Sequence, residues 1–256
     1  MDDAAAAGQS ADHFTDQFTP ARAKLGLIIP AVNTLSEPQF QHFAPDGMGV
    51  HVMRARISGS PSDTLADLSP AIEQAADILT DMSPDMIVFH CTGTSMKEGT
   101  RGDRGLIDLI EKRTNRPACS TIGLVVEAMR ALGMSKVVVL SPYKTNRDAI
   151  AYLAEVGIET VNDVALACAS GADFVRITPQ QWVDLARQND RPEADGIFLS
   201  CTNTTQIEAV DAIERALGKP VVNSNQAVIW GAAKRLKEQL GDYCLAPALG
   251  SLVREH

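Results

Sequence analysis

The feature that most constrains the fold is a short apolar segment ending in Cys-Thr, which occurs twice. The copies read MIVFHCT at residues 86–92 and GIFLSCT at residues 196–202. Short apolar runs bounded by small polar residues are typical of strands that are buried on both faces. Each copy therefore predicts a strand with a cysteine at its C-terminal end, at Cys91 and Cys201.

The segments around these two strands repeat as well, which indicates an internal duplication. Residues 24–30 and 136–142 share one layout: a lysine, five residues and a proline. The distance from this proline to the cysteine is 61 residues in the first copy (30 to 91) and 59 in the second (142 to 201). An Arg-Pro or Lys-Pro pair follows each cysteine, at 116–117 and at 219–220.

Strand and helix patterns alternate along both units. This alternation predicts α/β halves with parallel sheets and helices on both faces. A pseudo-twofold relation between the halves would place the C-terminal ends of their strands across a common cleft, where ligands of open α/β sheets bind. We expect residues 1–22 to be an N-terminal tail, residues 23–134 to form the first half together with a C-terminal helix at 225–256, and residues 135–224 to form the second half.

Capping residues mark the expected helix ends. Ser69 and Thr178 each precede a proline, as N-cap residues do when proline occupies the first helical position. Gly133 and Gly218 follow helical patterns and predict the C-terminal ends of two helices.

Charge and cysteine content exclude several classes of protein. Net charge is −9 from 23 basic and 32 acidic residues, which argues against nucleic-acid binding, because that needs a basic surface. No apolar run reaches about 18 residues, so no membrane span is expected, and the acidic N-terminus does not resemble a signal peptide. Five cysteines without Cys-x-x-Cys spacing predict neither a disulfide framework nor a zinc site, and favour a cytoplasmic protein with free thiols. The five histidines form no metal-ligand cluster in the sequence.

Cys91 and Cys201 are the candidate catalytic residues. A cysteine between a strand and a helix N-terminus lies where backbone N–H groups stabilise a thiolate. Two such thiols could remove and donate a proton on opposite faces of a planar intermediate, which gives isomerisation or racemisation without a metal or pyridoxal phosphate. Alternatively, one thiolate could add to an activated double bond, and the carbon–carbon bond could rotate before the thiolate leaves. The simpler interpretation of a buried structural cysteine is the one we adopt for Cys119, Cys168 and Cys244.

Small polar residues after the predicted strands are candidates for substrate binding. Hydroxyl and N–H groups near the two cysteines could hold a carboxylate or an enediolate, or could serve only as helix caps. An amide and a phenol after the two proline-ending strands could bind carboxylate oxygens or merely shape their loops. These candidates are Thr92, Gly93, Thr94, Thr202, Asn203, Asn33 and Tyr143. His90 precedes Cys91 on the same strand, so we expect its side chain to point to the opposite face and to be packed there.

At these residues the sequence resembles the Asp/Glu racemase superfamily, and within it the maleate isomerase and arylmalonate decarboxylase branch. The motifs that carry the resemblance are Pro-x-x-Asn-Thr (30–34), the first Cys-Thr (91–92), Ser-Pro-Tyr (141–143), Ser-Cys-Thr-Asn (200–203) and Lys-Pro-Val-Val-x-Ser-Asn-Gln-Ala (219–227).

The resemblance implies two Rossmann-like halves, no cofactor, and a small carboxylic or dicarboxylic acid as substrate. It implies Cys91 and Cys201 as the catalytic pair, with Cys91 as nucleophile and Cys201 as proton donor. Asn33 and Tyr143 would bind carboxylates, and the N–H and hydroxyl groups after each cysteine would form the oxyanion site. A homo-oligomer, dimer or tetramer, is also expected.

Differences from the superfamily pattern reduce the number of candidate reactions. Ala31 and Val32 stand where amino-acid racemases carry an Asp-Ser pair, and Asn203 stands where they carry a histidine. The decarboxylases lack the first cysteine, whereas Cys91 is present here. We therefore expect a cysteine-dependent isomerase of a small dicarboxylate, of the maleate cis–trans type. The alternatives are a two-base amino-acid or hydantoin racemase, an arylmalonate-type decarboxylase, and a small-acid sensor without chemistry.

Overall fold

Two four-stranded parallel sheets form the framework of the computed structural model, which describes residues 20–57 and 64–254. The strand order is β2-β1-β3-β4 in one sheet and β6-β5-β7-β8 in the other, so the two sheets share one topology. The strands are β1 (Ala23–Pro30), β2 (Met48–Ala55), β3 (Met86–Phe89), β4 (Ala118–Ser120), β5 (Lys136–Ser141), β6 (Glu159–Ala165), β7 (Gly196–Leu199) and β8 (Val221–Asn223). The prediction of two duplicated Rossmann-like halves is confirmed. The predicted tail lies mostly outside the described residues.

Helices cover both faces of each sheet. They are α1 (Ser36–Phe43), α2 (Leu65–Thr80), α3 (Thr92–Ser95), α4 (Gly99–Thr114), α5 (Thr121–Ala131), α6 (Arg147–Glu155), α7 (Gly171–Phe174), α8 (Pro179–Asn189), α9 (Val210–Leu217), α10 (Ser224–Arg235), α11 (Lys237–Leu240) and α12 (Ser251–Arg254), with 3₁₀ turns at Gln206–Ala209 and Pro247–Leu249. The C-terminal segment is therefore several short helices rather than one. In the described part of the chain, no helix has the length and apolar character needed to cross a membrane.

The helix that follows the last strand of each sheet packs against the other sheet: α5 follows β4, and α10 follows β8. Val125 and Met129 of α5 pack in one apolar cluster with Val139 of the second sheet. Conversely, Val228 of α10 packs in a cluster with Leu27 of the first sheet. Each half therefore completes the core of the other, although the division of the chain at residues 134 and 135 stays a prediction.

The α5 and α10 helices also pack directly against each other. A Cβ atom at Gly231 of α10 would lie 2.8 Å from Leu124 Cδ2 of α5. Glycine therefore leaves room for the Leu124 side chain, which would have to shift if residue 231 carried a Cβ atom.

The predicted start of α2 is wrong. This helix begins at Leu65, and its N-cap is Thr64, whose hydroxyl accepts from the N–H of Asp67 while the Asp67 carboxylate accepts from the N–H of Thr64. Pro70 lies inside the helix, and the Ser69 hydroxyl donates to the carbonyl of Leu65 instead of capping. The reciprocal cap satisfies two N–H groups at once, so it defines the helix start in spite of the proline.

The other predicted helix ends are confirmed. Thr178 caps α8 through the N–H of Gln181, and proline occupies the first helical position. Gly218 follows α9 with φ of 65° and donates its N–H to the carbonyl of Glu214. Glycine adopts this left-handed conformation without a steric penalty.

Candidate active site

The loops that follow β1, β3, β5 and β7 meet at the C-terminal ends of the two sheets. Asn33, after β1, lies within hydrogen-bond distance of Thr202, after β7: its Nδ2 is 3.2 Å from Oγ1. Ser224 Oγ, after β8, is 2.8 Å from Oγ1 of Thr92, after β3, and 3.2 Å from the backbone nitrogen of Cys201, after β7. The Tyr143 hydroxyl, after β5, faces Gly93 of the first cysteine loop. The structure thus brings both predicted cysteine loops and both predicted carboxylate binders into one place.

Cys91 lies half-buried at the start of α3. Its Sγ is 3.2 Å from Oγ1 of Thr94. Burial raises the pKa of the Cys91 thiol above its usual value, whereas the Thr94 hydroxyl, the N–H groups of Gly93 and Thr94, and the charge of Lys97 lower it. These donors and the nearby ammonium group favour the thiolate form of Cys91 once it is formed.

Cys201 is more deeply buried, at 4% exposure. Burial raises the pKa of its thiol to about 12, against hydrogen bonds from the Tyr143 hydroxyl and from the N–H groups of Asn203 and Thr202. The N–H of Asn203 is 3.3 Å from Sγ. Cys91 also raises the pKa of Cys201 through charge repulsion, so a thiolate at Cys91 keeps Cys201 protonated. The pair can therefore hold one thiolate and one thiol.

The two thiols both act on the Tyr143 phenol. Burial raises the pKa of its phenol well above the usual value, and the charges of Cys201 and Cys91 raise it further. The phenol is therefore neutral and can donate a hydrogen bond. Its ring contacts Phe174 of α7 edge to face, with centroids 5.8 Å apart, and a Cβ atom at Gly93 would lie 3.7 Å from its hydroxyl.

The amide of Asn33 is fully engaged inside the protein. Its Nδ2 donates to Oγ of Ser36 at 2.8 Å and faces Thr202, while its Oδ1 accepts from the N–H groups of Leu35 and Ser36. Asn33 is 1% exposed. In this state Asn33 organises the loop and bridges the halves, so a contact with substrate would require it to give up the Thr202 hydroxyl.

Asn203 likewise bridges the halves. Its Oδ1 accepts from the N–H of Thr34 at 2.9 Å, and its Nδ2 donates to the carbonyl of Gly171 at 3.3 Å. The side chain thus ties the loop after β7 to the loop after β1 and to the start of α7.

Three buried polar residues near the second cysteine loop escaped the sequence analysis. Ser36 Oγ donates to the carbonyl of Thr202 at 3.0 Å, and Gln39 Nε2 donates to the carbonyl of Thr204 at 2.8 Å. Asn225 Nδ2 donates to the carbonyl of Thr202 and to Oε1 of Gln39. In the sequence, Ser36 and Gln39 lie close to Asn33, and Asn225 lies within the 219–227 motif. The sequence does not show that these side chains are buried.

The remaining candidates fall outside the site. His90 is packed as predicted: it is buried against Phe40, and burial lowers its pKa to about 3, so the ring is neutral. Cys119 packs against the apolar core cluster of the first sheet, as predicted, whereas Cys168 is half-buried and Cys244 is exposed, so the prediction of a core position is wrong for these two thiols. Within residues 20–57 and 64–254, no cluster of three His, Cys, Asp or Glu side chains could hold a metal ion.

Comparisons with known proteins show which enzymes the chain is similar to. A maleate isomerase from Geobacillus stearothermophilus is 23% identical over 247 residues, which cover 90% of this chain and 96% of that protein. An arylmalonate decarboxylase from Bordetella bronchiseptica is 29% identical over 214 residues, which cover 82% of this chain and 89% of that protein.

Among solved structures, a mutant of the Nocardia farcinica maleate cis–trans isomerase with a covalently bound succinylcysteine intermediate matches with a TM-score of 0.81. The match has 23% identity and covers 91% of this chain and 99% of that chain. The family model for arylmalonate decarboxylase matches residues 25–244. The resemblance stated from the sequence is confirmed, and because the family model spans most of the chain, the protein belongs to the arylmalonate decarboxylase family.

Proposed function

We propose that this protein is a cofactor-independent cis–trans isomerase that converts a small unsaturated dicarboxylate, maleate or a close relative, to its trans isomer. The observation that carries the proposal is that the two cysteine loops meet: Ser224 Oγ lies 2.8 Å from Oγ1 of Thr92, which follows Cys91, and 3.2 Å from the backbone nitrogen of Cys201. The two thiols have different surroundings, because Cys91 is half-buried whereas Cys201 is 4% exposed with a pKa raised to about 12, and a nucleophile and a general acid require such an asymmetry.

The reaction begins with addition. The Cys91 thiolate forms an S–C bond to one alkene carbon, and the π electrons move to the other carbon and into its carboxylate as an enediolate. The Cys201 thiol donates its proton to that carbon, which leaves a succinyl group on Cys91 and a thiolate at Cys201. Rotation about the new single bond then turns the cis arrangement into the trans arrangement. The Cys201 thiolate takes the proton back, the S–C bond breaks, and the Cys91 thiolate is restored with the trans product.

Dipoles rather than basic side chains would hold the two carboxylates. We place one carboxylate at the N–H and hydroxyl groups of residues 92–94 and the other at residues 202–203, with Asn33 and Tyr143 as further donors. Oriented N–H and O–H groups in a water-poor site stabilise an enediolate without reorganising during the reaction.

Turnover of maleate by cysteine variants tests the proposal. We expect Cys91→Ala to lower the rate of fumarate formation, followed by NMR, by on the order of 10³-fold or more, because the other thiol of the site, Cys201, stays protonated and is a poor nucleophile. In Cys201→Ser we expect mass spectrometry to find a substrate-derived adduct on Cys91, since the enediolate can take its proton from solvent, whereas the Cys201 thiolate that would remove the proton again is absent. Cys244→Ala, which removes an exposed thiol, is the matched control and keeps wild-type turnover. Full activity in Cys91→Ala would contradict the proposal.

A decarboxylase or racemase is the second candidate, and the match to the arylmalonate decarboxylase family model favours it. Both reactions also use a thiol to move a proton at a carbon next to a carboxylate. A panel of maleate, methylated maleates, aspartate, glutamate, hydantoins and aryl malonates separates the candidates. Obligatory deuterium uptake from heavy water at a saturated α-carbon indicates racemisation or decarboxylation, whereas turnover of an alkene without such a centre indicates addition and rotation.

We further propose that the protein works as a homo-oligomer, dimer or tetramer, in the cytoplasm. The five unpaired cysteines support a reducing compartment. Light scattering coupled to size-exclusion chromatography tests the oligomer, and a monomer would contradict it. Fractionation of the source cells, followed by immunoblotting, tests the location.

A further inference from the structure

We propose that Ser36 and Asn225 are positioning residues for Cys201: they strengthen, through one peptide group, the N–H···S hydrogen bond to its sulfur. The inference rests on the proposed function, because it assigns both residues to the steps in which Cys201 gives up and takes back a proton. Both side chains are buried, Ser36 at the start of α1 and Asn225 in the first turn of α10.

The peptide group that joins Thr202 to Asn203 connects the two residues to the sulfur. At one end, the N–H of Asn203 donates to Cys201 Sγ at 3.3 Å. At the other end, the carbonyl of Thr202 accepts from Ser36 Oγ at 3.0 Å and from Asn225 Nδ2 at 3.2 Å. These two donors are enough to occupy both acceptor sites of the carbonyl oxygen.

The hydroxyl of Ser36 is oriented by Asn33. Asn33 Nδ2 donates to Ser36 Oγ at 2.8 Å, so the hydroxyl hydrogen of Ser36 is left to point at the carbonyl of Thr202. In return, the N–H of Ser36 donates to Asn33 Oδ1 at 2.9 Å. Asn33 Nδ2 also lies 3.4 Å from the Thr202 carbonyl oxygen, which is a longer and weaker contact than that of Ser36.

The amide of Asn225 is oriented by Gln39. Gln39 Nε2 donates to the carbonyl of Thr204 at 2.8 Å, and its Oε1 accepts from Asn225 Nδ2. Asn225 therefore presents Nδ2 rather than Oδ1 to this side, and the second hydrogen of Nδ2 serves the Thr202 carbonyl. Helix capping does not account for this contact, because the N-cap of α10 is Asn223.

The peptide group passes the effect of the two donors on to the sulfur. Hydrogen bonds to a carbonyl oxygen polarise the peptide group, so its N–H becomes a stronger donor. An N–H bond to sulfur favours the thiolate over the thiol. Burial opposes the Cys201 thiolate and raises the pKa of this thiol to about 12. The cost of the thiolate that remains after Cys201 has donated its proton therefore depends on this bond.

The first half offers a matched control in Ser95. The carbonyl of Thr92, the residue after the first cysteine, accepts from Ser95 Oγ at 3.0 Å. Ser95 is as fully buried as Ser36, and its bond is as long as that of Ser36 to the carbonyl after the second cysteine. Ser95→Ala therefore removes the same kind of hydrogen bond from the other cysteine loop.

Backbone amide resonances test the peptide group without any substrate, so they distinguish failure of the inference from failure of the proposed function. The proton resonance of a backbone amide moves upfield when its hydrogen bond weakens. We expect the Asn203 amide proton to move upfield in Ser36→Ala and to stay in place in Ser95→Ala. An Asn203 amide proton that does not move upfield in Ser36→Ala overturns the proposal.

Asn225→Ala is a second variant, which also covers the case in which Ser36→Ala does not fold. It removes the other donor to the Thr202 carbonyl and keeps the bond between Asn33 and Ser36. We expect the Asn203 amide proton to move upfield in this variant too. A movement in the opposite direction, or none, overturns the proposal.

Labelling of the thiol separates a weaker hydrogen bond from a loosened loop, because the two have opposite effects on the rate. Methyl methanethiosulfonate reacts with thiolates, and peptide mass spectrometry follows its reaction with Cys201 at one mildly alkaline pH. We expect Ser36→Ala to slow this labelling about threefold, because the thiolate fraction falls while the remaining thiolate becomes more nucleophilic. A loosened loop would expose the buried sulfur, so a faster or unchanged rate overturns the proposal.

Turnover of maleate tests the consequence for the reaction. We expect kcat to fall about tenfold in Ser36→Ala and the solvent isotope effect on kcat to grow, because proton transfer at Cys201 then limits the rate. Ser69→Ala removes a hydroxyl that donates to a carbonyl inside α2, away from the site, and keeps the wild-type kcat. A wild-type kcat and isotope effect in Ser36→Ala would overturn the assignment to proton transfer.

The substrate-free measurements keep the two proposals apart. If the amide and labelling results are as expected but the wild-type protein isomerises no unsaturated dicarboxylate, the inference about the Cys201 sulfur is supported and the proposed function fails. If the wild-type protein isomerises maleate but the Asn203 amide proton is unchanged in both variants, the proposed function stands and the inference is overturned.

Discussion

Asn203 Oδ1 accepts a hydrogen bond from the backbone N–H of Thr34 at 2.9 Å, across the boundary between the two halves. The same side chain donates through Nδ2 to the carbonyl of Gly171 at 3.3 Å. The Asn203 amide therefore accepts a hydrogen bond from the first half through Oδ1 and donates one within the second half through Nδ2. A carboxylate of the same shape could keep only the first of these bonds.

We therefore expect Asn203→Asp to lower activity strongly, although aspartate has nearly the same size and shape as asparagine. The new carboxylate faces the carbonyl of Gly171 instead of donating to it, and it places a negative charge where we place a substrate carboxylate. We expect kcat/KM to fall about 100-fold, the effect of about 3 kcal/mol from an unpaired charge. Asn162→Asp, which loses a comparable bond from Nδ2 to the carbonyl of Asn189 outside the site, is the control. Equal kinetics in the two variants would contradict this assignment.

The sequence predicted the two sheets and the two cysteine positions because these depend on local patterns. Short apolar runs predict the strands, and a glycine or an N-cap residue predicts most of the helix ends. The environment of the cysteines could not be predicted in the same way. Gln39 reaches the carbonyl of Thr204 across 165 residues, and Thr202, one of the partners of Asn33, belongs to the other half of the chain. Such contacts follow from the packing of the halves, which no local pattern encodes.

The start of α2 was predicted wrongly for a different reason, because the sequence offers two competing signals for it. Ser69-Pro70 and Thr64-x-x-Asp67 are both N-terminal signals, and only the second completes a reciprocal cap. We expect Thr64→Ala to lower the free energy of unfolding by about 1 kcal/mol, because the N–H of Asp67 loses its acceptor. Ser69→Ala is the control and is expected to change it by less than about 0.5 kcal/mol. Urea unfolding measures both, and a larger loss in Ser69→Ala would restore the helix start that the sequence indicated.

The buried thiol of Cys201 makes stability depend on alkaline pH. Burial raises its pKa in the folded protein to about 12, whereas a thiol in the unfolded chain has a pKa of about 8.5. Above the lower value the unfolded chain releases a proton that the folded protein keeps, so the free energy of unfolding falls as pH rises. The stabilisation is complete below pH 8.5 and is lost progressively up to the folded value.

Cys201→Ala is therefore expected to flatten this decline. Urea unfolding between pH 7 and pH 10 measures the slope of stability against pH in the wild type and in the variant. Cys244→Ala removes an exposed thiol and is expected to keep the wild-type slope. A slope in Cys201→Ala equal to that of the wild type would show that the thiol ionises with similar ease in both states.

Tyr152 and Asp103 form a buried contact between α6 of the second half and α4 of the first. The Tyr152 hydroxyl donates to Oδ2 of Asp103 at 2.9 Å, and Asp103 is only 8% exposed. Burial raises the pKa of the Asp103 carboxyl, against hydrogen bonds from Ser120 and Tyr152. A buried carboxylate that loses one of its donors is costly, because no water replaces it.

We therefore expect Tyr152→Phe to lower the free energy of unfolding at pH 7 by about 1–3 kcal/mol. The raised folded pKa of Asp103 means that its protonated form is favoured on folding, so its unfavourable contribution appears as pH rises above the unfolded value of about 3.9. The cost of Tyr152→Phe should consequently be smaller at pH 4, where more of the carboxyl is protonated, than at pH 7. Combining it with Asp103→Asn removes the charge and should restore most of the lost stability at pH 7. If the two substitutions instead add independently in a double-mutant cycle, the contact does not couple the halves.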